Sequence, residues 1–184
     1  THHVRALASA LCARGLDARP FAHRPPPADR PRDPYSDALH YATERADLVA
    51  SLRTLAANGH RTAEVLIADR WHFSTEVVGY ATHQDALHAL ASAERQALPA
   101  PALVLVLDAP DATLRARIEA RGAAVTDVDR AARPWYRDRN VLRSWGAETV
   151  DTSGPVEEVE TRILARALAA LGVRGWDGCG MEVA

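Results

Sequence analysis

The chain has 184 residues, of which 47% are hydrophobic and 25% charged, with a formal net charge of −2. That length supports one domain with a real core and excludes two ordinary ones. The near-neutral balance excludes the basic footprint of a nucleic-acid polymer binder, and no apolar run reaches the length of a membrane span. All 22 basic residues are Arg, so a site that needs lysine is absent or rebuilt with arginine. The two cysteines, Cys12 and Cys179, are too few for a disulfide framework or a paired-cysteine zinc site. No signal peptide pattern is present, which predicts a cytoplasmic protein.

In chain order, Val4, Leu7, Ala8, Leu11 and Cys12 recur at helical spacing, with Gly15 as a stop and Cys12 on the apolar side. Ala18 to Ala22 reads as a short strand and His23 to Pro34 as a Pro- and Arg-rich loop. Ser36 or Asp37 is placed to cap a long helix through Leu39, Ala42, Ala46, Val49, Leu52 and Leu55, ended by Asn58-Gly59. Glu64 to Ala68 reads as a buried strand ending at Asp69-Arg70. A polar segment and a helix over Gln84 to Gln96 follow. Leu103 to Leu107 is an unbroken apolar run, which suits a parallel strand covered on both faces. A helix over Ala112 to Arg121 stops at Gly122, and Gly122 to Ser144 is Arg-rich without clear period. Glu148 to Val150 is a last strand, and Pro155 opens a final helix through Leu171. Residues 172–184 read as a poorly ordered tail. Strands alternating with helices predict an α/β three-layer sandwich with a parallel sheet. In such folds ligands gather at the carboxyl ends of the strands, where Asp69-Arg70 and Asp108 fall.

At those ends the residue types suggest phosphate chemistry. Asp69 can hold a magnesium ion, and Arg70 can fork onto a phosphate; the plain alternative is a strand-end cap beside a solvated arginine. Tyr41 and Arg45 lie one turn apart on one helix face, where a ring and a guanidinium can grip a nucleobase. The alternative has Tyr41 packing on the sheet and Arg45 pairing with solvent or Glu44. Arg117, Arg121, Arg130, Arg133, Arg137, Arg139 and Arg143 form a cationic stretch able to close over polyphosphate, or else a salt-bridged surface. The eight histidines read as surface residues without a metal-ligand pattern. His2 and His3, being adjacent, should point in different directions. No serine has a nucleophile-elbow context.

Taken together, these motifs resemble the thymidylate kinase family. Leu39-His40-Tyr41-Ala42-Thr43-Glu44-Arg45 is similar to the family's helix run in which an aromatic stacks on thymine and an Arg contacts the nucleotide. Asp69-Arg70-Trp71-His72-Phe73-Ser74-Thr75 resembles its Asp-Arg signature. Pro101 to Gly122 resembles the strand, Leu-Asp turn and Arg-rich helix leading to the lid. The resemblance spans about Thr1 to Leu171 and implies a three-layer α/β/α P-loop NTPase fold with a lid near 121–144. It implies ATP and Mg2+ as cofactors, a small-molecule nucleotide substrate, no nucleic acid polymer or membrane partner, and a homodimer. By the same resemblance, Arg70, Asp69, Arg121 and Arg133 are catalytic, and Tyr41, Arg45, Arg70, Ser74 and Thr75 bind substrate. Thr1, Arg117 and Arg121 bind the cofactor, and Thr1 and Asp69 serve the metal.

Two departures qualify the substrate. Arg24-Pro25-Pro26-Pro27 stands where the family carries Arg-Glu-Pro-Gly-Gly, and Val78 stands where it has a Tyr. A larger one concerns the phosphate cradle: no Gly-x-x-x-x-Gly-Lys-Ser/Thr occurs. The resemblance therefore implies a chain that opens just past its P-loop, with the first strand missing and a gap in the sheet. The expected reaction is transfer of the ATP γ-phosphoryl group to a deoxynucleoside monophosphate, dTMP first. A deoxynucleoside kinase and a non-catalytic nucleotide-binding protein are the alternatives.

Overall fold

The structure is a computed structural model that describes residues 2–27, 33–59, 64–122 and 124–173. The order is α1 (His2–Cys12), β1 (Ala18–Phe21), α2 (Pro34–Ala57), β2 (Val65–Ala68), α3 (His72–Thr82), α4 (Asp85–Ala97), β3 (Val104–Asp108), α5 (Asp111–Glu119) and α6 (Asp127–Ala132), then a 3₁₀ turn (Trp135–Arg137), α7 (Arg139–Trp145), β4 (Ala147–Asp151) and α8 (Val156–Ala170). The chain is thus mixed α/β, as its alternating pattern predicts. No described helix is long and apolar enough to cross a membrane.

The sheet differs from a single continuous layer. β1 pairs parallel with β2, Ala18 opposite Val65 and Phe21 opposite Ala68. β3 pairs parallel with β4, Val104 opposite Ala147 and Asp108 opposite Asp151. These are two separate two-stranded sheets among the described residues. The strands expected to be buried on both faces are the less buried ones. β2 and β3 hold no fully buried residue, and Leu66 and Leu107 are 37% and 40% exposed. Ala18 in β1 and Val150 in β4 are buried instead. A parallel strand is buried by helices on its faces and by neighbours on its edges, and β2 and β3 each have one neighbour among the described residues.

Helices α1 and α8 join the two pairs. Leu11, Ala18, Leu164 and Leu168 form one buried cluster, against which Val65 and Ile67 pack. Val150, Val159 and Ile163 form another, joined by Leu105. Leu7 packs on both, so α1 spans the division between the sheets.

Several local expectations are corrected. Helix α2 starts earlier than Ser36 or Asp37: Asp33 is its cap, accepting from the Tyr35 and Ser36 amides at 3.0 and 2.9 Å, with Pro34 in the first turn. The polar segment after Arg70 is helix α3, whose His72, Thr75, Glu76, Val77 and Gly79 are buried. Gly79 permits close packing on α4, because a Cβ there would come within 3.2 Å of the His88 ring. The aperiodic stretch before β4 holds α6, opened by a Thr126–Asp129 capping box, and α7, capped by Asp138. Cys12 is exposed at the end of α1, its thiol donating to the Ala18 carbonyl at 3.3 Å.

Candidate functional site

The carboxyl ends of β1 and β2 gather one group of side chains. Strand β1 delivers His23, whose Nδ1 lies 3.0 Å from Glu44 Oε2 on α2. Glu44 also accepts the Arg24 amide at 3.1 Å, so one carboxylate orders the loop leaving the strand. Tyr41 stands one turn before Arg45 on α2, its ring centroid 4.9 Å from that of His23. Burial pushes the His23 pKa down, against the upward pull of its hydrogen bond to Glu44.

Arg45 occupies the floor of this end and is 1% exposed. Its Nε donates to Glu94 Oε1 on α4 at 2.7 Å and its Nη2 to Thr75 Oγ1 on α3 at 2.9 Å. Neither solvent nor Glu44 neutralises it. Helices α2, α3 and α4 are tied through one guanidinium, and a buried charge of this kind requires such a partner. Beside it, His72 is 4% exposed and its pKa is lowered, chiefly by burial. Glu76 on α3 accepts from Tyr80, Arg95 and the Trp145 indole. Trp71 Nε1, His72 Nδ1 and Glu94 Oε2 are buried polar atoms without a hydrogen-bond partner. Each such atom costs desolvation energy, and such sites merit a functional explanation.

Arg70 ends β2 with φ at +70° and an exposed side chain. A non-glycine residue there is strained, and strain of this kind concentrates at ligand-binding positions. Asp69, half-buried, donates its amide to the Phe21 carbonyl at 2.9 Å. Ser74 and Thr75 follow in the first turn of α3; Thr75 is buried and engaged by Arg45, while Ser74 is half-buried. Tyr41, Arg45, Arg70 and Thr75 thus belong to one end of the β1/β2 pair.

The expected lid arginines gather elsewhere, at the carboxyl end of β3. Arg137 grips Asp108 with two bonds, Nε to Oδ2 at 2.7 Å and Nη2 to Oδ1 at 3.0 Å, and donates to Asp111 Oδ1 at 2.9 Å. Arg133 Nη2 donates to the Ala109 carbonyl and meets Asp111 Oδ1, both at 2.9 Å. The Arg137 bond holds the Asp111 carboxyl below its ordinary range. Arg117 is committed to Thr152, Nη2 to the carbonyl at 2.6 Å. Arg121 is exposed and bonds the Arg117 carbonyl at 3.1 Å. Thr1 lies outside the described residues.

Sequence reasoning missed three participants. His23, half-buried, and His72, buried, both read as surface residues, belong to the β1/β2 end, and Glu94 neutralises Arg45 from 49 residues away. The only sequence signal for Glu94 is its place three residues after Ala91 and seven after Leu87 on the buried stripe of α4.

The residues present do not by themselves fit a triphosphate. No lysine and no Gly-rich strand-to-helix turn occurs in the sequence, and Arg133 and Arg137 are neutralised by Asp108 and Asp111. No protein-family model matches the chain, and no curated protein matches it.

Proposed function

We propose that the carboxyl end of the β1/β2 pair binds a deoxynucleoside monophosphate, dTMP first among candidates, as the acceptor half of a thymidylate kinase-like nucleotide kinase. The observation that carries this reading is Arg70: an exposed guanidinium held at φ +70° where a parallel strand ends, in the same corner as Tyr41 and His23. A parallel strand end is where α/β proteins collect ligands. Arg70 would fork onto the monophosphate and Tyr41 would stack on the base. Arg45, fixed by Glu94 and Thr75, would set the depth of the pocket.

The break between the sheets supports the same reading. Among the described residues β2 and β3 each have one neighbour, and one parallel strand set between them under α1 would join the two pairs. A P-loop kinase layer has that arrangement, and its phosphate cradle follows that strand. ATP and Mg2+ enter only with such a cradle, so no transfer step is assigned to the described residues.

Calorimetric titration of the chain with dTMP, thymidine and other monophosphates tests this. Expected is saturable dTMP binding that weakens about tenfold or more in Arg70→Ala, a loss of roughly 1.4 kcal/mol or greater. Thymidine binding stronger than dTMP binding would favour the nucleoside kinase reading. No binding of any of them by the folded chain would sink the proposal. A form extended by a strand and a Gly-Lys-Thr turn before α1, assayed with ATP and magnesium, tests transfer separately.

A further inference from the structure

We propose that His2, His3 and Glu160 form a zinc-binding site that clamps the start of α1 to α8. The sequence suggests that the two histidines point apart, and the fold overrides this. His2 Nε2 lies 2.9 Å from Glu160 Oε1, and His3 Nδ1 lies 3.9 Å from the same oxygen. The two rings stand nearly perpendicular, their centroids 5.2 Å apart. Among the described residues this is a group whose three ligand atoms all fall within 4.8 Å of one another. A tetrahedral zinc with bonds of about 2.0–2.2 Å sets its ligand atoms roughly 3.4 Å apart; the His2–Glu160 pair is closer than that and the His3–Glu160 pair farther, so rotation of the exposed His2 and of the Glu160 carboxylate evens the separations.

A second observation points to a ligand. His3 Nδ1 is sealed from solvent and has no hydrogen-bond partner. A buried nitrogen in that state loses its hydration without compensation, and a metal bond would restore a partner. Two imidazoles and one carboxylate suit zinc and disfavour magnesium or calcium, which take oxygen ligands. Three protein ligands leave a fourth position, and His3 and Glu160 also line a groove of about 280 Å³ between α1 and α8. Water can reach the ion there. The clamp would fix α1, whose Leu7 bridges both core clusters.

The test uses the untagged 184-residue chain, titrated with zinc against a chromophoric chelator and with cobalt(II) as a visible-light probe. Expected is one zinc per chain, a higher melting temperature at saturating zinc, and cobalt absorption of a low-coordinate site. His2→Ala and Glu160→Gln, both at side chains with solvent access, should keep the far-ultraviolet dichroism. Each should weaken zinc binding by at least about tenfold and abolish the cobalt bands. Absence of zinc binding would overturn the proposal. So would binding that is undiminished in both folded variants, since the other histidines would then be carrying it.

Discussion

The two pairs of parallel strands end in the same chemistry, arginine against carboxylate, placed in opposite environments. At the β1/β2 end Arg45 and Glu94 are 1% and 6% exposed. At the β3/β4 end Arg137 and Asp111 are 38% and 68% exposed. Removing water raises both the attraction and the cost of an unmatched charge. The buried pair therefore fixes three helices in one arrangement, whereas the exposed cluster can part from its partners at little cost. The first end is a rigid floor and the second a breakable latch.

The largest expected effect comes from breaking the floor. Arg45→Ala leaves Glu94 buried without a partner and should destabilise the fold by about 3–5 kcal/mol, measured by urea unfolding. The double variant Arg45→Met, Glu94→Leu removes both charges and should recover most of that loss. A double variant as unstable as the single one would mean that shape, and not charge, is what the pair supplies.

Acidification should separate the two ends by pH. His23 and His72 have folded pKa values below the ordinary 6.5. The unfolded chain then binds protons first, so their contribution is complete above pH 6.5 and is lost as pH falls from there through the folded values. Asp111 has a folded pKa below the ordinary 3.8; its contribution is present above 3.8 and is lost only at more acid pH. His72→Gln should flatten the stability profile just below pH 6.5 and leave the acid limb unchanged. An unaltered upper limb would show that His72 is not buried neutral.

A smaller effect, of opposite sign for stability and binding, is expected at Arg70. Glycine adopts φ +70° without strain, so Arg70→Gly should stabilise the chain by about 1 kcal/mol while weakening dTMP. A residue that lowers stability and raises affinity behaves as a ligand contact; loss of both on substitution would mark Arg70 as structural.

How far the sequence foretold this arrangement depends on how local the determinant is. The strands at Val65 and Val104, the Gly15 and Asn58-Gly59 stops and the final helix after Pro155 follow from short-range periodicity and turn chemistry, and they stand where expected. Helix α3 was hidden because it buries His72, Thr75 and Glu76 in a polar network, so its buried face does not read as apolar. The grouping of Tyr41 with Arg45 was legible from i, i+4 spacing. Glu94 as the partner of Arg45, and Glu160 as the meeting point of His2 and His3, depend on helix packing across 49 and more than 150 residues, which no local pattern encodes. A gap in the sheet was an expectation of the resemblance alone; what the apolar runs misread is the exposure of Leu66 and Leu107, since both strands read as buried from sequence.

The smallest expected effect on stability is at Arg137, and it is the most direct test of the latch. Arg137→Ala removes the two-bond grip on Asp108 and the contact to Asp111. Exposed pairs of this kind are screened by salt, so the global unfolding midpoint should barely move. Local opening should change instead. Residues 127–138 are tied to the end of β3 by Arg133 and Arg137, and loss of one anchor lowers the free energy of lifting the segment without touching the core. Amide exchange should therefore quicken in α6 and the 3₁₀ turn and stay constant in α3 and α4. High salt should bring the parent chain toward the same pattern. Equal acceleration in α3 would mean that the two ends open together, and the division between floor and latch would fail.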